Sequence, residues 1–389
     1  MIMKRRDFVY ITIFLLIPFM MPDSLTRISM VGNIVKLWKL MAGSVALLTC
    51  VKKGRFSLPL IFFSMFYLFI TASSIINGQI NIDWLMFLAF LWIIEISSAS
   101  LNRLNVFLDV YTKLGVILIV ANLISIIFYP KGLYATSVYE LNWLLGYKNV
   151  IIRKTLPVLV AIIVKVILQD RKAKRWEIIG FLAGCSGVLL SQSTNGWLGV
   201  SAFLLLLLLI KMKRFPKWIS LSKIFIGYTA VDIVIVNMDN IISRFEYLFV
   251  SVLGKFASMS GRVAIWRRTK ELISHSFLIG YGCIDSSLYH FSFNVSHPHN
   301  LLLYYLMLGG ILGIITFFIA LLRVDRGRSL YEVEQTKLIN LVFVASYISY
   351  FMMGIFESLV GATCFVPFML LMYNINREVY KNDRVMHTI

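Results

Sequence analysis

The stretch LLLYYLMLGGILGIITFFIALL at residues 301–322 decides the fold class. It carries no charged side chain, and as a helix it is long enough to cross the roughly 30 Å hydrocarbon core of a bilayer. Apolar residues make up 59% of the 389-residue chain and charged residues 15%, whereas about a quarter of the residues in a soluble domain are charged. The short alternating segments of a β-barrel are not found. The sequence therefore predicts an all-α polytopic membrane protein.

Twelve apolar segments predict twelve transmembrane helices in a single integral membrane domain, residues 1–389. The last two segments are separated only by a bend around Glu357. The segments are 8–22, 31–51, 58–76, 82–98, 106–129, 151–169, 176–192, 196–211, 219–237, 300–322, 338–356 and 358–375.

Basic residues concentrate in every second connection between these segments. Examples are KKGR at 52–55 and RKAKR at 171–175, whereas the alternate short loops contain one basic residue, Arg27. Because basic residues in short loops favour the cytoplasm, both termini are predicted to be cytoplasmic. The net charge of +19 then reflects topology, and no motif predicts binding to nucleic acid.

Two predicted external segments, 130–150 and 238–299, are too long to be simple turns. Connections beyond about 12–15 residues commonly carry function. Within the second, an amphipathic helix is predicted near 260–275, with Arg262 and Trp266 at helical spacing. One interpretation is an interfacial helix whose cations bind lipid phosphates, which residue type alone favours. The other is that its arginines hold a diphosphate through paired hydrogen bonds.

The motif NVSHPHN at 294–300 places His297 and His299 on either side of a proline, which predicts a turn or a helix start. A metal site would need a third ligand, and no standard spacing supplies one. The candidates for that ligand are Cys283, Asp285 and His290. Two other roles remain open. One is structural, at the membrane interface. The other is that of an external base, because the ordinary pKa of imidazole lies near neutral pH.

This region resembles the signature of the bacterial O-antigen ligase and O-antigen polymerase family, which runs SGR…W…GYG…HxHN…L…GG.LG. The match covers about 260–315 in detail and the whole chain in topology. The matching residues are Ser260, Gly261, Arg262, Trp266, Gly280, Gly282, His297, His299, Asn300, Leu301, Gly310, Leu312 and Gly313.

The resemblance implies a glycosyltransferase at the outer face of the bacterial cytoplasmic membrane. Family members take a glycan from undecaprenyl diphosphate and transfer it to an acceptor sugar hydroxyl, inverting the anomeric centre without a metal ion or other cofactor. External arginines hold the diphosphate, and the histidine before asparagine lies near the acceptor hydroxyl. By position, these catalytic residues are Arg262 and His299. A flippase and a chain-length regulator usually work beside the polymerases of this family.

Further residues are predicted to bind the substrate. They are His297, Asn300, Arg153, Lys154, Arg244 and Arg267. Ligases often carry a Ser-Arg pair at the external end of a middle span, where this chain has Asn195. Arg153 and Lys154 are candidates for the missing cation, or they are snorkelling residues beside a span. Glu140 and Asp285 are reserve candidates for the base.

The favoured function is a polymerase of undecaprenyl-diphosphate-linked oligosaccharide repeat units, making a capsular, exo- or O-antigen polysaccharide. The missing arginine favours it over the runner-up, a ligase that transfers the finished chain to an acceptor. A sugar diphosphate is a good leaving group, so fixed cations and one base suffice for the reaction. A polysaccharide flippase or transporter is the non-enzyme alternative, although the ionisable residues within the spans form no matched pair.

Overall fold

The computed structural model describes residues 5–79, 81, 83–136, 139–216, 218–237, 258–283, 297–361 and 363–387. Most of this part of the chain is helical, and a short antiparallel hairpin joins β1 (Asn142–Trp143) to β2 (Gly146–Tyr147). The helices are α1 (Arg5–Met20), α2 (Asp23–Thr26), α3 (Ser29–Lys52), α4 (Leu58–Ile76), α5 (Asp83–Ser97), α6 (Leu101–Phe128), α7 (Lys148–Leu168), α8 (Arg175–Leu190), α9 (Thr194–Lys211), α10 (Leu221–Asn237), α11 (Ser258–His275), α12 (Leu301–Leu330), α13 (Glu334–Gly354) and α14 (Phe365–His387).

Six of these helices, α3, α4, α6, α9, α12 and α13, are long and apolar enough to cross a membrane. Leu48 on α3 and Leu205 on α9 are 68% and 57% exposed, as expected of side chains that face lipid. The chain is therefore a multi-pass helical membrane protein. Each of the twelve predicted segments overlaps a helix, but the other helices are shorter or more polar, so the count of twelve spans stays a prediction.

The centre of the bundle is built on α12, which packs against α4, α10 and α14. Phe66, Tyr305 and Phe317 meet there with ring centroids 5.2–5.5 Å apart. Tilted and edge-to-face aromatic pairs of this kind add about 0.5–1.5 kcal/mol beyond the apolar area that they bury. Helices α7 and α9 pack on α13, which brings the beginnings of α7 and α9 close to the end of α13.

Helix α12 is broken at Gly310, whose φ of 58° and ψ of −164° are not helical. Residues 277–282 fill the break. The N–H of Tyr281 donates to the carbonyl of Met307 at 2.6 Å, and the N–H of the next residue donates to the carbonyl of Leu308 at 2.8 Å. Since an unpaired backbone group in hydrocarbon costs several kcal/mol, this pairing allows a broken helix inside the bundle.

Two glycines of the family motif allow this close approach. Gly280 and Gly282 have φ of +67° and +73°, in the left-handed region that side chains disfavour. The hydroxyl of Ser73 donates to the carbonyl of Gly280 at 2.8 Å, and the indole of Trp84 donates to that of Gly282 at 3.0 Å. A Cβ on Gly282 would lie 1.9 Å from the backbone nitrogen of Ser74.

Replacing Gly282 with alanine is therefore expected to destabilise the protein by about 3 kcal/mol or more, because the new Cβ meets backbone and φ is unfavourable. Thermal unfolding in detergent measures the change. Gly227→Ala in α10 is the control, since a Cβ there has no atom within 4 Å. Equal melting temperatures for the two variants would contradict the packing of residues 277–282.

Candidate active site

The two histidines of the NVSHPHN motif lie against the connection that follows α13. The Nδ1 atoms of His299 and His297 are 3.3 and 3.9 Å from the same oxygen, Oε1 of Glu357. The imidazole centroids are 4.1 Å apart. The histidine side chains are 24% and 23% exposed and the glutamate side chain 10%. We call these three residues the histidine–carboxylate cluster.

The backbone around Pro298 orients the two imidazoles. His299 has φ of 49°, a left-handed conformation in which histidine is enriched among non-glycine residues. Its N–H donates to Nδ1 of His297 at 3.3 Å. The buried indole of Trp266 on α11 donates to the carbonyl of Pro298 at 2.9 Å. The motif tryptophan therefore ties α11 to the turn that carries the histidines.

Asn300 holds the start of α12. Its Oδ1 accepts from the N–H of Leu303 at 2.9 Å and caps the helix. Its Nδ2 donates to the carboxylate of Asp232 at 2.6 Å and to the carbonyl of Ile355 at 3.2 Å. The sequence predicts that this residue binds substrate, but its side chain is fully buried and bonded within the protein. Its observed contacts support α12 and residues 297–300, which we call the histidine turn.

Both oxygens of Glu357 accept hydrogen bonds. Nδ2 of Asn149 donates to Oε2 at 3.0 Å, and the N–H of Ser358 donates to Oε1 at 3.1 Å. The hydroxyl of Ser193 donates to Oδ1 of Asn149 at 2.7 Å, which orients the amide. Burial raises the pKa of Glu357, but its histidine neighbours and Arg153 outweigh burial and lower the pKa to about 2. The carboxylate is ionised at neutral pH.

His297 is neutral at neutral pH. Burial lowers its pKa, the neighbouring imidazole of His299 lowers it further, and the attraction of Glu357 opposes both. Arg153 and Arg262 also act against its protonation, and together these effects bring the pKa of His297 to about 4. A neutral imidazole can accept a hydrogen bond, as Nδ1 of His297 does from the N–H of His299.

The cluster lines a cavity of about 340 Å³, within the size range of small-molecule sites. Other polar residues of its wall include Asp83, Asn149 and Arg153. Its aromatic residues are Trp84, Phe87, Tyr139, Tyr147 and Tyr304. The rings of Tyr139 and Tyr147 stack at 3.9 Å. The β1–β2 hairpin positions this pair, since it ends at Tyr147 directly before α7.

The predicted cations lie in different surroundings. Arg153 lines the cavity, where its Nη1 donates to the carbonyl of Val360 at 2.7 Å. Lys154, the next residue, forms an ion pair with Asp23 at the start of α2. Arg267 is exposed on α11, and Arg244 lies outside the described residues. Of the three that the structure describes, Arg153 is the one that lies at the histidine–carboxylate cluster.

Arg262 lies on α11 close enough to the cluster to interact with it electrostatically. Burial lowers the pKa of Arg262, while the charge of Glu357 raises it. A guanidinium stays protonated in proteins even so. The cluster is thus an ionised carboxylate and two imidazoles in a positively charged environment.

The sequence did not predict Glu357 as a site residue. The available signal was a single acidic residue between two closely spaced apolar segments. Glu357 also supplies the third ligand that a metal site lacked, because ligand atoms of the three cluster residues lie within 4.8 Å of one another. The nearby arginines oppose a dication at this place. Asp285 and His290, two of the ligands considered from sequence, lie outside the described residues.

The O-antigen ligase family model matches residues 179–318. The resemblance to this family is confirmed. The match covers the part of the chain with α11, residues 277–282, the histidine turn and the break in α12. Members of the O-antigen ligase family are lipid-linked glycan transferases, and the match supports, at this coarse level, an enzyme that acts on a lipid-linked oligosaccharide. No curated protein matches the sequence.

Proposed function

We propose that the protein polymerises undecaprenyl-diphosphate-linked oligosaccharide repeat units at the outer face of the bacterial cytoplasmic membrane. The observation that carries the proposal is that His299, Glu357 and Arg153 line one cavity. In this proposal both termini are cytoplasmic, and a flippase and a chain-length regulator are partners. The concentration of basic residues in every second connection between the apolar segments supports that orientation.

In the proposed reaction His299 accepts the proton of the acceptor hydroxyl. The hydroxyl oxygen forms a bond to the anomeric carbon, and the bond from that carbon to the diphosphate oxygen breaks. Attack opposite the leaving group inverts the anomeric centre. Negative charge grows on the departing undecaprenyl diphosphate, so Arg153 and Arg262 stabilise the transition state more than the ground state.

The lining of the cavity supports a carbohydrate ligand. Its aromatic residues offer apolar faces, and Asp83 and Asn149 offer hydrogen-bonding groups beside them. Such a mixture of apolar walls and a few polar groups fixes the orientation of a small ligand. A base and fixed cations are sufficient for the transfer, so the proposed reaction needs no metal ion or cofactor.

A ligase is the second candidate. The description of the matching family, O-antigen ligase, favours it. The absence of an arginine at Asn195 favours the polymerase. Both reactions use the same base and cations, so they differ in the acceptor and in the length of the transferred glycan.

Deleting the gene and resolving the glycans on a gel tests the proposal. Loss of a polymerase is expected to leave single repeat units. Full-length chains that remain on the lipid carrier would instead identify a ligase, and repeat units trapped in the cytoplasmic leaflet would identify a flippase. In membranes that contain the protein, polymerisation is expected to continue in the presence of a chelator, and chelator-sensitive activity would contradict a metal-independent reaction.

A further inference from the structure

We infer that Glu357 is a positioning residue that orients His299 and stabilises its imidazolium form during transfer. The inference rests on the proposed function, because it assumes that His299 is the base. It adds a residue to which neither the family motif nor the family match assigns a role, since Glu357 lies outside the matched residues 179–318.

The contact between Glu357 and His299 gives the two nitrogens of the His299 imidazole different roles. Nδ1 of His299 lies 3.3 Å from Oε1 of Glu357, close enough for an ion pair although not aligned as a hydrogen bond. Catalytic hydrogen bonds are often long in unliganded enzymes and shorten when substrate binds. A carboxylate at Nδ1 favours the tautomer with its proton there, and so leaves Nε2 as the proton acceptor.

Glu357 is itself held rigidly. Its carboxylate accepts from Asn149 on one oxygen and from the backbone of Ser358 on the other. Ser193, the N-cap of α9, donates to the amide of Asn149. The carboxylate is thereby fixed from the beginnings of α7 and α9 and from the connection after α13. These bonds fix the carboxylate that faces the imidazole of His299. Outer partners of this kind around metal-bound histidines change activity by about 10–100-fold when they are removed.

The electrostatic role follows from the proton transfer. When His299 takes up the acceptor proton, a positive charge forms next to Arg153 and Arg262, which lie near enough to act on the neighbouring His297. Their repulsion opposes the transfer. A buried anion at 3.3 Å counters that repulsion at the moment when the charge forms. The same carboxylate repels the diphosphate, so its benefit is restricted to the imidazole side of the cavity.

Glu357→Gln tests the inference, because glutamine keeps the size of the side chain and one of its two acceptor oxygens but not its charge. We expect kcat for chain extension to fall about 10–100-fold, with KM for the lipid-linked donor nearly unchanged. The acidic limb of the pH–rate profile is expected to move to lower pH, because a carboxylate favours the protonated form of a nearby imidazole and its removal weakens that preference. Glu357→Asp should recover part of the rate.

Glu271→Gln is the matched control, since Glu271 is an exposed carboxylate on α11 that pairs with Arg268. It should keep the wild-type rate and pH profile. Thermal unfolding of each variant reports whether the fold is retained. A Glu357→Gln variant with a lower rate but an unmoved acidic limb would assign the residue to structural support and overturn the inference.

Two further outcomes separate this inference from the proposed function. If His299→Ala is inactive and Glu357→Gln has the wild-type rate and pH profile, the positioning role is wrong and the proposed base stands. If His299→Ala is active, the proposed reaction itself is wrong. Activity that is lost with a chelator and restored by zinc would make the cluster a metal site and would also overturn the inference.

Discussion

His299→Ala is expected to abolish chain growth, with a rate of transfer lowered by about 10²–10⁴-fold. The expectation follows from the proposed base. The acceptor hydroxyl is a weak nucleophile and needs a base. Among the described residues that line the cavity, the imidazole of His299 lies 3.3 Å from the ionised carboxylate of Glu357. The measurement is the rate of extension of a lipid-linked repeat unit in membranes, together with the glycan ladder of cells that carry the variant.

His275→Ala is the control for this change, because His275 is an exposed histidine at the end of α11. His297→Ala should reduce the rate less than His299→Ala does, since the lowered pKa of His297 makes it a weak proton acceptor and its Nδ1 already accepts from the N–H of His299. The protein of each variant should remain in the membrane. A normal ladder from His299→Ala would remove this residue from the reaction.

Arg153→Gln is expected to lower kcat by about 10²–10³-fold. Arg153 lines the cavity beside the cluster, and negative charge grows on the diphosphate as the glycosidic bond breaks. A fixed guanidinium aimed at that charge stabilises the transition state at no cost of reorganisation. Arg153→Lys should recover part of the rate, because lysine keeps the charge but loses the planar pair of donors. Initial rates with the lipid-linked donor measure both variants.

Lys131→Gln provides the control for Arg153, since Lys131 is an exposed cation in the predicted external segment 130–150, which directly precedes the span that begins before Arg153. It should leave the rate unchanged. Arg153 also donates to the carbonyl of Val360, so thermal unfolding must accompany the rates. Unchanged kcat in a folded Arg153→Gln protein would assign diphosphate stabilisation to other cations, Arg262 first among them.

Arg153 and Lys154 illustrate the limit of the local sequence. From the sequence they are equivalent neighbours beside a predicted span. Successive residues of a helix are about 100° apart around its axis, and in α7 this rotation directs Arg153 to the cavity and Lys154 to Asp23. Which residue faces the site depends on what packs on each side of α7, and the sequence around positions 153 and 154 does not contain that information.

The motif glycines also separate what the local sequence reveals from what only helix packing reveals. Gly280, Gly282 and Gly310 were recognisable from the sequence as members of a family pattern. Their physical role, a backbone pairing between residues 277–282 and a broken α12, depends on two segments that meet inside the bundle. An apolar stretch such as 301–322 predicts a continuous helix, because nothing in its hydropathy marks where another segment replaces the helical hydrogen bonds.

The sequence by itself determined the membrane class and the place of the histidines. Long apolar segments in hydrocarbon must satisfy their backbone groups internally, so composition is enough to specify helices. The histidine turn is local, because a proline and two imidazoles occupy consecutive positions before a span. Only the tertiary structure decided that Glu357 joins them and that Arg153 faces the same cavity. Electrostatic partners are chosen by distance in space, and helix packing sets that distance between residues far apart in the chain.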